Sequence, residues 1–164
     1  MKNSLKNNIA CVVHSFYDDL LFHTLDDFIH TYGLEVDFYI SLPYRVSKQT
    51  LVDLKNYNCK IFLVENINRD IGPFLQILPE LSKYKYCCKI SLKKSETEII
   101  GDLWREQVLE ELFSDSILEI FHNQNIGMLV PDSFALDFKT NVSSNQKSIE
   151  EVCKKLNINS IIIP

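Results

Sequence analysis

The chain has 164 residues, 46% of them apolar and 24% charged, with 17 Lys and Arg against 22 Asp and Glu and a formal net charge of −5. That is one ordinary globular domain's worth of sequence. Four Gly and five Pro exclude a collagenous or low-complexity chain, no apolar run reaches the eighteen residues of a membrane span, and the acidic balance argues against a nucleic-acid binder.

The polar start, Met1 to Asn8, leads into a short apolar run, Ile9 to Val13, which reads as a buried strand and is too short for the core of a signal peptide. Asp18 or Asp19 opens a helix that carries Leu21, Leu25, Phe28 and Tyr32 at helical spacing and stops at Gly33. Val36 to Ile40 is the second strand. Ser47 is placed to cap a helix bearing Leu51 and Leu54. Lys60 to Val64 is the third strand. A turn from Glu65 to Gly72 leads into Pro73, a favourable first helical residue, and a helix with Phe74, Ile77, Leu78 and Leu81 on its apolar face. Pro79 kinks or divides that helix.

Tyr86 to Ile90 is the fourth strand. A long helical stretch follows with Leu103, Trp104, Val108, Leu112 and Phe113, interrupted at Ser114 to Ser116 before Ile117, Ile120 and Phe121. Ile126 to Val130 reads as a fifth strand, Pro131 to Gln146 as a loop, Ile149 to Leu156 as a last helix and Ser160 to Ile163 as a sixth strand. Alternating strands and helices with near-continuous apolar strands predict a three-layer α/β fold around a mostly parallel, Rossmann-like sheet. Six strands are too few for an eight-unit barrel. The chain reads as one domain, 1–164, and a buried strand ending at Pro164 predicts that the domain continues past that residue.

Charge and cysteine are unevenly informative. Lys83, Lys85, Lys89, Lys93 and Lys94 fall within twelve residues that hold no acid, so a small anionic ligand is the expected partner. Five Cys without a CxxC pair predict buried free thiols in a reducing compartment, with the adjacent Cys87 and Cys88 on opposite sides of a strand. His23, His30 and His122 lie on helices without paired ligands, so no metal site is read. There is no Gly-rich phosphate loop, Ser-His-Asp set or zinc spacing.

Ligands of parallel sheets sit at the strands' carboxyl ends. After the third strand stand Asn66, Arg69 and Asp70, in front of a helix start where an anion is held. Asp70 is equally placed to be an ordinary helix cap. In and after the fourth strand, Lys85, Cys87, Lys89, Ser91 and Lys93 share one side, and Lys94 and Ser95 follow. His14 ends the first strand beside Phe16 and Tyr17, where it reads as a structural loop histidine or as a base-stacking or acceptor-side group.

Glu65-Asn-x-x-Arg-Asp-Ile-Gly-Pro-Phe74, Tyr86-x-Cys-Lys-Ile90, Lys93-Lys-Ser95, Trp104-Arg105 and Asn125-Ile-Gly-Met128 together resemble the rhamnan synthesis protein F family, over His14 to Val130. Asn66 to Asp70 departs from that family's usual Asn-Arg-Gly-Arg-Asp, and Ser91-Leu92 from its His-Thr. The resemblance implies a GT-A-like glycosyltransferase of cell-surface polysaccharide assembly. It would transfer a deoxysugar, rhamnose, from a nucleotide diphosphate donor to a polysaccharide or lipid-linked glycan. It also implies a cytoplasmic setting, with peripheral contact at the inner face of the membrane. Asn66, Arg69, Asp70, Lys89, Lys93, Lys94 and Ser95 are then the nucleotide-sugar residues, with His14 and Arg105 as further candidates. GT-A folds carry an Asp-x-Asp metal motif where this chain has Ser91-Leu-Lys-Lys94, so the expected chemistry is metal-independent. The catalytic base is not assigned. A non-catalytic remnant, or a binding module of the same fold, is the alternative.

Overall fold

A computed structural model of the chain describes residues 9–32, 36–65, 69–92, 103, 106–111, 117–123, 126–132 and 146–155. Two compact units, Met1–Asn125 and Ile126–Pro164, divide it. In the first, strand β1 (Ile9–Ser15) leads into helix α1 (Asp18–Tyr32), β2 (Asp37–Pro43), α2 (Lys48–Asp53), β3 (Cys59–Val64), α3 (Ile71–Ile77) and β4 (Tyr86–Leu92). Helical residues 106–111, here α4, and α5 (Ile117–Asn123) follow. The four strands are all parallel, in the order β3-β2-β1-β4. The fold is a three-layer, Rossmann-like α/β fold, as the alternation predicts.

The two faces of the sheet follow from period-two alternation. Cys11, Val13, Phe38, Ile40, Leu42, Ile90 and Leu92 pack against Leu21, Leu25 and Phe28 of α1, Leu54 after α2 and Leu109 of α4. Ala10, Val12 and Tyr39 face the other way, towards Ile77 of α3, Leu81 and Phe74. β1 is central and buried along its whole length, which explains its unbroken apolar run.

Helix starts obey the sequence where local chemistry decides. Ser47 caps α2: its Oγ accepts from Thr50 N at 2.9 Å, and Thr50 Oγ1 donates to Asp18 at 2.7 Å, tying α2 to the start of α1. α3 starts at Ile71, two residues before Pro73, because a proline in the first turn lacks only an N–H that the helix does not use. Pro79 does end α3, and a 3-10 turn, Leu78–Leu81, follows it. The buried stripe is Pro73, Ile77 and Leu81 at four-residue steps, so Leu78 lies on its flank and is 46% exposed.

Other expectations need correction. β1, β2 and β4 run two or three residues further than their apolar cores, because His14, Ser15, Ser41 and Ser91 join the ladder despite being polar. In α4 the buried residue is Leu109, not Val108. Residues 126–130 form no strand. The sixth strand and residues 133–145 of the expected loop lie outside the described residues. In the second unit α6 (Gln146–Lys155) carries Lys154 and Lys155 in its last turn, where the helix dipole favours them. All five cysteines are free, and Cys87 and Cys88 do take opposite faces, but only Cys11 is buried and Cys87 is exposed.

A polar cluster closes the amino end of the sheet. Tyr84 Oη donates to Asp37, shares a 3.1 Å hydrogen bond with Tyr39 Oη, and Asn58 Nδ2 donates to Asp37 at 2.5 Å. Burial, then the bonds to Asp37 and Tyr39, push the Tyr84 phenol well up. Burial and Asp26 push Tyr57 up to about 12. Unfolded tyrosine ionises near pH 10, so above about that pH the unfolded chain binds fewer protons than the folded one and stability falls as pH rises. Melting temperatures should therefore drop from about pH 10 upward. Tyr84→Phe should lose roughly 1–2 kcal/mol at neutral pH and show a flatter alkaline decline. An equally steep decline in thermal melts of the variant would remove Tyr84 as its source.

Candidate functional site

The strand order reverses between β1 and β4. β1 leaves by α1 on one face, while β4 is reached by α3 on the other, so the crevice at their carboxyl ends is the switch point of the sheet. Two strand registers align a polar row there across three strands, with His14 opposite Ser41 on β2 and opposite Ser91 on β4. His14 is buried, and its Nδ1 lies 2.9 Å from Ser41 Oγ. Ser91 Oγ is buried with no hydrogen-bond partner among the described residues. An orphaned buried hydroxyl is uncommon in a finished core, and this one stands at the crevice.

The segment after β3 reaches the same place by crossing the sheet. β3 and β4 are three strand spacings apart, about 14 Å. Yet Asp70 Oδ2 lies 2.5 Å from Lys89 Nζ, which projects from β4. Asp70 occupies the N-cap position of α3 without capping it: its backbone is helical (φ −83°, ψ −14°), where a capping residue is extended, and its carboxylate turns to the lysine. Lys89 remains 35% exposed and Asp70 15%. The Phe74 ring lies 5.8 Å from the ammonium. Arg69 is exposed and left-handed, with φ 55°, a conformation that costs a non-glycine residue about 1–2 kcal/mol.

Of the residues singled out from the sequence, the fold brings Asp70 and Lys89 into contact and leaves Arg69 beside them. His14 belongs to the polar row of the neighbouring strands. Asn66, Lys93, Lys94, Ser95 and Arg105 lie outside the described residues.

The sequence reading passed over Ser41 and the Tyr44-Arg45 pair. The Arg45 guanidinium lies 3.9 Å from the centroid of Phe16, which meets Tyr17 edge to face at 5.3 Å. The available signal was an aromatic–basic pair directly after a strand. Ending β2 at Ile40 hid it, since it put the pair in mid-loop.

A separate cleft of about 620 Å³ lies between α1 and α4. Its polar lining includes Asp19, His23, Asp27, His30, Glu106 and Glu110, with His23 Nδ1 2.8 Å from Asp27. That acidic lining repels phosphate.

A parallel three-layer domain with polar and cationic residues gathered at its switch point belongs to the Rossmann-like class of α/β folds. The chain belongs to the rhamnan synthesis protein F family, whose pattern matches residues 1–163. Membership ties it to rhamnan synthesis and bears out the resemblance read from the sequence. No curated protein and no solved structure matches the chain. Among the described residues, no helix is long and apolar enough to cross a membrane.

Proposed function

We propose that this chain is a GT-A-like glycosyltransferase that moves a deoxysugar, rhamnose, from a nucleoside diphosphate to a growing polysaccharide or lipid-linked glycan. It would work in the cytoplasm, at the inner face of the membrane. The observation that carries the reading is the Lys89–Asp70 pair at the β1/β4 crevice, in a chain of a rhamnan synthesis family. Breaking the sugar–phosphate bond leaves negative charge on the diphosphate, and fixed cations stabilise it as it develops. Lys89, Lys93 and Lys94 are assigned that task. Asn66 and Arg69 flank the nucleotide, Ser95 adds a hydroxyl, and Asp70 takes part through the ammonium it holds. His14 and Arg105 stand as further contacts.

On this reading the transfer is metal-independent. The metal motif's place holds Ser91, Leu92, Lys93 and Lys94, and charged lysine is no ligand.

Calorimetry with nucleoside diphosphates tests the reading. Binding should survive EDTA and weaken with added salt, which screens exposed charges over about 8 Å at physiological strength. Changing Lys93 and Lys94 together to Ala should cost about 1–3 kcal/mol of binding. A requirement for Mg²⁺ would overturn the lysine mechanism. A second reading, a sugar-nucleotide-binding module without transfer, draws on the mutual neutralisation of Lys89 and Asp70. Tight donor binding with no release of diphosphate in the presence of acceptor glycan would select it.

A further inference from the structure

We infer that the outer side of α3 docks the chain on an anionic phospholipid bilayer, with Ile71, Leu75 and Leu78 entering the lipid and cations at the ends of this ridge meeting the headgroups. The inference deepens the membrane setting of the function proposed above and rests on that reading for its place there. Ile71 and Leu75 stand one helical turn apart and Leu78 follows three residues later, so the three line one side of the helix and of the turn that extends it. They are 60%, 57% and 46% exposed, while Pro73, Ile77 and Leu81 are buried. The water-facing side of a helix is normally polar. Here no residue from Ile71 to Pro79 is charged, in a chain of 24% charged residues. A bare apolar ridge of that kind marks a contact surface.

Charge decides what the ridge meets. Residues 69–94 hold Arg69, Lys83, Lys85, Lys89, Lys93 and Lys94 against two acids, Asp70 and Glu80, in a chain whose formal net charge is −5. Both acids are held by lysines, Asp70 by Lys89 and Glu80 by Lys60 at 2.8 Å. Arg69 and Lys89 stand at the start of α3, and Lys83 and Lys85, both exposed, follow the turn that ends it. An apolar strip with cations at both ends suits an anionic bilayer, whose acyl chains take the apolar side chains and whose phosphates take the cations.

A second copy of the chain fits the ridge less well. The three side chains expose roughly 300 Å² together, whereas a stable protein interface takes about 800 Å² from each partner. Two ridges laid together would also set like charges against each other in either direction, since both ends are cationic. A bilayer sets no such minimum, because each side chain that enters it adds its own share of binding. The ridge begins next to Asp70, so docking through it brings the crevice to the lipid surface, where a lipid-linked glycan presents its sugar.

The test is flotation of the full chain with vesicles of phosphatidylcholine alone and of phosphatidylcholine with phosphatidylglycerol. Wild type should bind the anionic vesicles about tenfold or more tightly than the neutral ones. Leu75→Gln with Leu78→Gln should weaken that binding about tenfold or more, and Lys83→Gln with Lys85→Gln roughly tenfold. Melting temperatures should match wild type, because all four side chains are exposed. In calorimetry without vesicles the leucine variant should bind a nucleoside diphosphate as wild type does. Wild type that ignores anionic vesicles, equal binding to neutral ones, or a leucine variant that floats like wild type would overturn the ridge. So would a lipid-free wild-type dimer in ultracentrifugation that the leucine variant dissociates, which would give the ridge to a second copy. Vesicle binding without nucleotide binding would overturn the donor reading and leave the ridge standing, and nucleotide binding without vesicle binding would do the reverse.

Discussion

Lys89→Met should weaken nucleoside diphosphate binding by about tenfold to a hundredfold, while Asp70→Asn should change it only about threefold or less. Two effects add in the first variant. The charge-assisted bond to phosphate disappears, and the Asp70 carboxylate, 15% exposed, is left facing the diphosphate without its ammonium. They oppose in the second. Lys89 gains freedom to turn to phosphate and a repulsive charge is removed, but the ammonium is less well held.

Stability should separate from binding in this pair. Both substitutions break the same 2.5 Å contact, between a partly exposed lysine and a largely covered aspartate at the surface, so each should cost on the order of 1 kcal/mol. Calorimetry beside chemical denaturation gives both readings from one set of proteins. Binding losses of equal size would make Asp70 a direct contact of the nucleotide. An unchanged affinity in Lys89→Met would remove that lysine from the site.

The contact could not be anticipated as a contact. The sequence places Asp70 before a helix and Lys89 in a strand, and each has an ordinary reading there. What joins them is topology. α3 must carry the chain from the β3 edge to β4 on the far side of β1, and its start already lies within reach of Lys89. Spacing along a sequence holds no information about which strand lies next to which. The order β3-β2-β1-β4 had to be seen. Once it is known, His14, Ser41 and Ser91 fall into one row by register alone.

Element types were legible because their signals are local. Buried strands announce themselves as apolar runs, Ser47 as a cap, and Leu21, Leu25 and Phe28 as one face of a helix. Strand ends were less legible, since a ladder continues through polar residues as long as the backbone pairs. That is why Ser41 and Pro43 fall outside the strand that the apolar run Val36 to Ile40 predicts, and Ser91 just outside Tyr86 to Ile90. The error matters beyond bookkeeping of residues, because the strand end is where ligands are met. Shortening β2 concealed Tyr44 and Arg45, and the family resemblance, which rests on the later segments, did not point to them.

Phe28 and Leu78 look alike in the sequence, each an apolar residue at helical spacing, and their replacement should separate them sharply. Phe28 is 1% exposed, its ring lies 5.8 Å from that of Phe38 in an edge-to-face contact, and it joins α1 to the sheet. Phe28→Ala removes that contact and leaves a cavity in a layer that cannot collapse without moving α1. About 3–5 kcal/mol should be lost, a large part of the 5–15 kcal/mol that holds a typical domain together. The melting temperature should fall on the order of ten degrees or more. Leu78 is 46% exposed, on the flank of the Pro73–Ile77–Leu81 stripe. Leu78→Gln should stay within about 0.5 kcal/mol of wild type. Thermal and denaturant melts of the two variants decide the matter. A loss above about 2 kcal/mol at Leu78 would restore it to the core as its spacing suggests, and a mild effect at Phe28 would mean that α1 is not clamped to the sheet there.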